Sequence, residues 1–274
     1  MLQRIITAVV AIIIFLPVLW FSDTVALPAA MALLIVIAMF EMFRCLGLHR
    51  RFALTLPFYP VGAAMPFCVR YLHGDIPIDY RDTALLAVIL LLVYMLAIVV
   101  LSHNSINFSQ AAAIFASACY IIFSFCGIIY LRDFENKYIY LLVFIGAWIT
   151  DTFAYFVGRV VGRHKLIPDI SPKKTVEGSI GGIVFCVAAF VGFAFIIGIE
   201  YIGVGWLILS GVIVSVVSQI GDLSMSAIKR EHGIKDYGRV FPGHGGVLDR
   251  FDSVLAVSSV MTVIFAILNI FHVL

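Results

Sequence analysis

The sequence predicts an all-α fold, a polytopic integral membrane helix bundle, and three observations lead there. Hydrophobic residues make up 63% of the 274 and charged residues 12%, with a mean hydropathy of +1.11. A soluble domain carries roughly 45–50% apolar and about 25% charged residues. Nine stretches are apolar over the ~20 residues that cross a bilayer: near 5–21, 25–43, 53–70, 83–101, 110–130, 138–158, 179–199, 202–221 and 253–273. With the amino end in the cytoplasm and the spans alternating, 14 of the 18 Lys and Arg fall on the cytoplasmic side, as the positive-inside rule requires.

The first span follows Arg4, as a signal peptide would. Its apolar run is longer than a typical signal core, and Pro17 and Trp20 at its end form no small-residue cleavage site, so it reads as retained. The third span carries Pro57, Pro60 and Pro66 and is expected to be kinked and packed inside the bundle, where neighbours satisfy the freed carbonyls. The inner cations are Arg4, then Arg44, Arg50 and Arg51, then Arg159, Arg163, Lys165, Lys173 and Lys174. Lys229, Arg230, Lys235, Arg239 and Arg250 complete the inner set; Arg70, Arg81, Arg132 and Lys137 stay outside. The carboxyl end is then outside as well.

The chain reads as one membrane domain, 1–274, with amino-terminal helices over 1–135 and a catalytic half over 136–274. It shows no internal repeat and none of the paired broken helices of many secondary transporters. A net charge of +2 gives no argument for nucleic acid. Cys45, Cys68, Cys119, Cys126 and Cys186 are scattered through apolar runs and read as small buried hydrophobes.

Polar residues gather in two cytoplasmic inserts, 159–178 and 222–252. With the span ends that lead into them, these hold 10 of the 18 basic and eight of the 16 acidic residues. Positive-inside bias accounts for the cations but not for the acids. Acids beside cations at a membrane surface suggest a metal–phosphate site, because Mg²⁺ takes one or two carboxylates and phosphates take Lys or Arg.

Asp151 falls inside the sixth span, about seven residues or roughly 10 Å of helix from its cytoplasmic end. An acid at that depth is costly: it marks a functional interior site, or it is a structural partner for Arg159. Asp222 ends the eighth span with Ser226 and Lys229 on the same helical face, at i+4 and i+7. An ordinary helix terminus with a snorkelling lysine would look the same. Asp249 and Asp252 share a face as the ninth span begins, with Arg250 turned aside; early acids also simply suit a helix dipole. Ahead of them Gly243, Gly245 and Gly246 would let backbone amides approach an anion, with His244 either a donor or a plain surface histidine. Neither a P-loop, a dinucleotide-binding fingerprint nor an H-E-x-x-H zinc motif occurs.

Ser226-Ala-Ile-Lys229-Arg230, then Lys235-Asp236, then Pro242-Gly-His244-Gly-Gly with Asp249-Arg250-Phe-Asp252, closely resembles the signature of the phosphatidate cytidylyltransferase (CDP-diacylglycerol synthase) family. The first insert is similar to the same family in Asp151, Ala154-Tyr155, Gly158-Arg159, Gly162-Arg163-His164-Lys165-Leu166 and Ser171-Pro-Lys-Lys174-Thr. The resemblance covers the carboxyl-terminal half; the first 130 residues match only as apolar spans. Lys173 stands where members often carry Gly, which makes Lys174 the stronger candidate of the two.

The resemblance implies transfer of a cytidylyl group from CTP to phosphatidic acid, giving CDP-diacylglycerol and pyrophosphate. It implies that Asp222 and Asp249 hold a divalent metal, Mg²⁺ or a similar ion, with Asp252 a further ligand, Asp151 close by, and room for a second monovalent cation. Lys229, Arg230, Lys235 and Arg250 would neutralise CTP phosphates, aided by His244 and the amides of Gly245 and Gly246; Ser226 and Asp236 belong to the same binding stretch. Lys174, with Lys165 and Arg163, would meet the phosphatidate headgroup. The partners implied are the two substrates and the bilayer, with no nucleic acid, and a homodimer is admitted. The setting implied is a bacterial-type inner membrane with the site facing the cytoplasm. Two rivals are another membrane transferase acting on a lipid phosphate and an ion-coupled transporter using Asp151 as a relay. Clustering of both inserts at one surface speaks against the transporter.

Overall fold

Helices dominate because the apolar runs leave the backbone no other way to satisfy its polar groups in hydrocarbon. The computed structural model describes residues 2–72, 79–103, 105–134, 136–199 and 202–270; within these, the side chains of 2–6, 8, 9, 11, 12 and 270 lie outside the described set. Helix α1 is Leu2–Trp20, α2 Ala26–Cys45, α3 Phe52–Thr55, α4 Phe58–Tyr71, α5 Tyr80–Leu101 and α6 Phe108–Arg132. Helix α7 is Leu141–Val161, α8 Val176–Ile196, α9 Val204–Glu231 and α10 Leu248–Ile270. Among the described residues eight helical segments are long and apolar enough to span, with α3 and α4 counted as one. The first predicted span coincides with α1, 19 residues long, nine of whose side chains lie outside the described residues, as does the end of the ninth beyond 270.

Three local features add to the sequence pattern. The third span is broken at Pro57, which separates α3 from α4, while Pro66 is absorbed inside α4. Helix α9 continues to Glu231, ten residues past its predicted end near 221, so Asp222, Ser226, Lys229 and Arg230 are all helical. Nothing in 222–231 breaks a helix, and Gly233, at φ +64°, turns the chain just beyond its end. The first insert contains an antiparallel hairpin, β1 (Lys165–Ile167) with β2 (Ser171–Thr175), pairing Lys165 with Thr175 and Ile167 with Ser171.

The chain divides into two units: Met1–Ile129 with Ile234–Arg250, and Tyr130–Gly233 with Phe251–Leu274. Residues 234–250 of the second insert thus group with the amino-terminal helices.

In the first unit α2 buries Leu27, Met31, Ile35, Met39 and Phe43, a four-residue spacing that makes one stripe. It crosses α4 at Gly62, where a Cβ would stand 2.6 Å from Met39 Cε. Phe58 meets Phe43 and Phe115 edge-on, at centroid distances of 6.2 and 6.4 Å.

In the second unit α7 and α8 approach through small residues, as membrane helices do when backbone contact replaces a hydrophobic drive. A Cβ on Gly178 would stand 2.5 Å from the Ala154 carbonyl oxygen, and one on Gly182 3.0 Å from that of Thr150. Gly221 does the same for α9 against Ala256 of α10, at 2.5 Å. The buried Thr150 and Ser215 hydroxyls, 3.0 Å apart, tie α7 to α9. Asp151 follows Thr150 and Asp222 follows Gly221, so close helix contacts lie next to the acids.

Candidate active site

In the second unit three helices and the hairpin each contribute a charge. Asp151 comes from α7, Asp222 and Lys229 from α9, Asp252 from α10 and Lys174 from β2. Lys174 Nζ lies 2.5 Å from Asp222 Oδ2. Asp151 Oδ2 accepts the Ser253 hydroxyl at 3.0 Å, and buried Asp252 accepts the Ser253 amide through Oδ1 at 2.8 Å. Asp252 stands within electrostatic reach of Asp222, Asp151 and Lys229, and Asp151 within reach of Lys174. Three carboxylates thus face two ammonium groups, one of which, Lys229, is itself buried. One turn before Asp222, the fully buried Ser218 Oγ has no hydrogen-bond partner among the described residues. Arg159, the alternative structural partner for Asp151, reaches the Tyr155 hydroxyl instead, at 3.3 Å.

The turn into the hairpin is built by Glu177, which accepts the amides of Arg163 and His164 and lies 2.7 Å from His164 Nδ1. Thr175 caps α8, its Oγ1 accepting the Gly178 amide at 3.1 Å. That hairpin leaves Arg163, Lys165 and Lys173 exposed and turns Lys174 inward.

In the first unit the glycine loop is held largely by its own chain. Asp249 Oδ2 accepts the amides of Tyr237 and Gly246, each at 2.8 Å. The Phe241 amide donates to Gly245 O at 2.9 Å, the His244 amide to Phe241 O at 2.8 Å, and Arg250 Nε to His244 O at 2.7 Å. Gly243 and Gly245 adopt φ of +77° and +87°, which a side chain would strain. Glu41, from α2, takes the Val247 and Leu248 amides at 3.1 and 2.9 Å, and Arg44 donates to Tyr237 O. The expected anion cradle is therefore filled in part by the protein's own carboxylates: the Gly246 amide and the two amides that open α10 already have acceptors. His244 is half-buried, with Nδ1 unpartnered among the described residues, while Lys235, Asp236 and Arg250 are exposed. On α9 Ser226 is half-buried and Arg230 exposed.

Sequence reasoning missed Glu41, Arg44 and Ser253. Glu41 carried a usable signal, as the one acid in the 20-residue apolar α2.

The sequence profile of the cytidylyltransferase family matches residues 2–268. The chain belongs to that family. Among curated relatives, the phosphatidate cytidylyltransferase of Staphylococcus saprophyticus is 36% identical over 262 residues, covering 95% of this chain and 97% of that protein. Those of Staphylococcus haemolyticus and Staphylococcus aureus are each 34% identical, over 268 and 270 residues, with the same coverage.

A cytidylyltransferase handles polyanions, and the second unit's donors suit the hard cation that such chemistry draws on. They are oxygens only, carboxylates in excess of ammoniums, with an orphaned hydroxyl alongside. Among the described residues no group of three or more His, Cys, Asp or Glu could hold a metal ion by itself. Mg²⁺ does not need one, since it takes one or two carboxylates and fills its shell with water and substrate phosphate.

Proposed function

We infer that this protein is a phosphatidate cytidylyltransferase, converting CTP and phosphatidic acid to CDP-diacylglycerol and pyrophosphate. The observation that carries the reading is the Asp151, Asp222 and Asp252 set with Lys174 and Lys229, in a chain matched by the family over residues 2–268. An oxygen of the lipid phosphate attacks the α-phosphorus of CTP; a new P–O bond forms there as the bond to the β-phosphate oxygen breaks. The nucleophile is already anionic, so no general base is needed, and the barrier lies in bringing two polyanions together.

Asp222 and Asp252 would hold Mg²⁺, which when bound neutralises charge on the triphosphate and its leaving group. Asp151, fixed by the Ser253 hydroxyl, supports that pair. Lys229 on α9 and Lys174 on β2 balance the acids at rest and offer ammonium groups to incoming phosphates. Exposed Arg230, Lys235 and Arg250 serve CTP capture, and exposed Arg163 and Lys165 serve the lipid headgroup. Asp249, engaged by two amides, shapes the loop it belongs to and is proposed as the remaining metal-facing acid.

The setting follows from the substrates. Phosphatidic acid is held in the bilayer at about 0.8 kcal/mol per buried CH₂, whereas CTP is soluble. We place the site on the cytoplasmic face of a bacterial-type inner membrane, where the basic inserts fall under the positive-inside rule. The test is purified protein in mixed micelles with phosphatidic acid, Mg²⁺ and CTP labelled at the α-phosphate. Label should enter the organic phase with release of one pyrophosphate. Label entering lipid from a UDP-sugar, and none from CTP, overturns the reading.

A further inference from the structure

Part of the glycine loop is anchored from a helix outside both polar inserts. Glu41 is 2% exposed in α2, and a carboxylate in such a place is costly unless its oxygens are satisfied. Both are: Oε1 accepts the Val247 amide and Oε2 the Leu248 amide. These are amides that opening helix α10 cannot satisfy within itself, at the end where its dipole favours negative charge. Asp249 Oδ2 holds the Tyr237 and Gly246 amides from the other side. Two carboxylates therefore fix four amides of one loop, and Arg44, three residues after Glu41, holds the Tyr237 carbonyl. The loop's glycines fit this arrangement, because a Cβ on Gly238 or on Gly246 would overlap Glu41 Oε1. Their smallness makes room for the carboxylate of α2.

We propose that Glu41 is a positioning residue for cytidylyl transfer, fixing the loop from Tyr237 to Leu248 and, through it, the orientation of Asp249. The proposal rests on the reaction inferred above and on the part assigned there to Asp249. It gives the amino-terminal helices a stake in the chemistry that their apolar sequence does not announce.

Full-length protein in detergent tests it with Glu41→Gln and Glu41→Asp. Gln keeps the shape but replaces one acceptor by a donor that faces an amide N–H; Asp keeps the charge on a shorter stem. Hydrogen exchange over 237–248 should quicken at least tenfold in Glu41→Gln, with exchange in α2 and α8 unchanged. The same variant should lose tenfold or more in kcat while KM for CTP changes less than threefold, and Glu41→Asp should recover part of both effects. Loop exchange or kcat within twofold of wild type overturns the proposal. So does exchange that quickens equally in every helix, which would make Glu41 a plain stabilising residue. A wild-type protein that moves no label from CTP sinks the reaction instead, and the exchange arm then still decides whether Glu41 anchors the loop.

Discussion

Lys174 Nζ lies 2.5 Å from Asp222 Oδ2, so the hairpin of the first insert is ionically tied to α9. The side chains are 21% and 27% exposed, partly shielded from the water that would screen a surface pair. Its neighbour Lys173 points to solvent. Alternation along β2 thus separates two adjacent lysines into one that touches the acid cluster and one that does not. Lys174→Ala should lower kcat/KM by about 10–100-fold, or about 1.4–2.8 kcal/mol of transition-state stabilisation. Lys173→Ala should stay within about twofold. Steady-state kinetics on the two variants checks this, and equal losses would remove Lys174 from the site.

What the sequence made legible was the part governed by local periodicity. Among the described residues eight of the nine apolar runs coincide with helical segments long and apolar enough to span, and the i+7 spacing of Lys229 from Asp222 holds because α9 runs unbroken through both. Hydropathy shows where lipid ends but not where a helix ends, which is why α9 passes its predicted terminus by ten residues. The Lys174–Asp222 pair joins positions 48 apart and depends on a hairpin too short to show a strand pattern. The glycine loop was visible as glycine, but one of its two carboxylate acceptors, Glu41, is about 200 residues away in sequence. Glu41 is a single acid in an apolar helix, and no local pattern marks the distant amides that make its burial tolerable.

Asp222→Asn and Asp252→Asn test the acids directly. Each keeps the side-chain shape and removes one negative charge from a cluster whose role is to face a cation. Each should reduce kcat at least about 100-fold, about 2.7 kcal/mol, while extraction and elution volume match wild type. A chelator should abolish transfer and added Mg²⁺ restore it. Activity within tenfold of wild type in either variant would take that residue out of the metal set.

The hairpin's landing on α8 can be weakened without touching a charge. Thr175 is buried and its Oγ1 caps the Gly178 amide, so Thr175→Ala should cost about 1 kcal/mol and Thr175→Ser much less. The cap borders the close approach of Gly178 to the Ala154 carbonyl, and Gly178→Ala should be the more damaging change, since backbone stands where the methyl would go. Thermal unfolding in detergent should rank the variants Ser, then Ala at 175, then Ala at 178. Any other order would mean that the α7–α8 contact does not limit stability.

Sidedness is tested by labelling. The five native cysteines are buried or half-buried, so a cysteine-free background is the starting point. Lys235 and Lys137 are both exposed and fall on opposite faces of the inferred topology. The basis is the positive-inside bias, which would put the whole second insert in the cytoplasm. The structure of the first unit agrees with it: Thr7, near the start of α1, donates to the Pro242 carbonyl of the second insert, and Glu41 and Arg44, near the end of α2, meet the same loop. The start of one span and the end of the next belong on one face. A membrane-impermeant maleimide should label Lys137→Cys in intact cells and Lys235→Cys only in inverted vesicles. The reverse pattern would move the site to the other side of the membrane, away from CTP, and the inferred reaction would lose its soluble substrate.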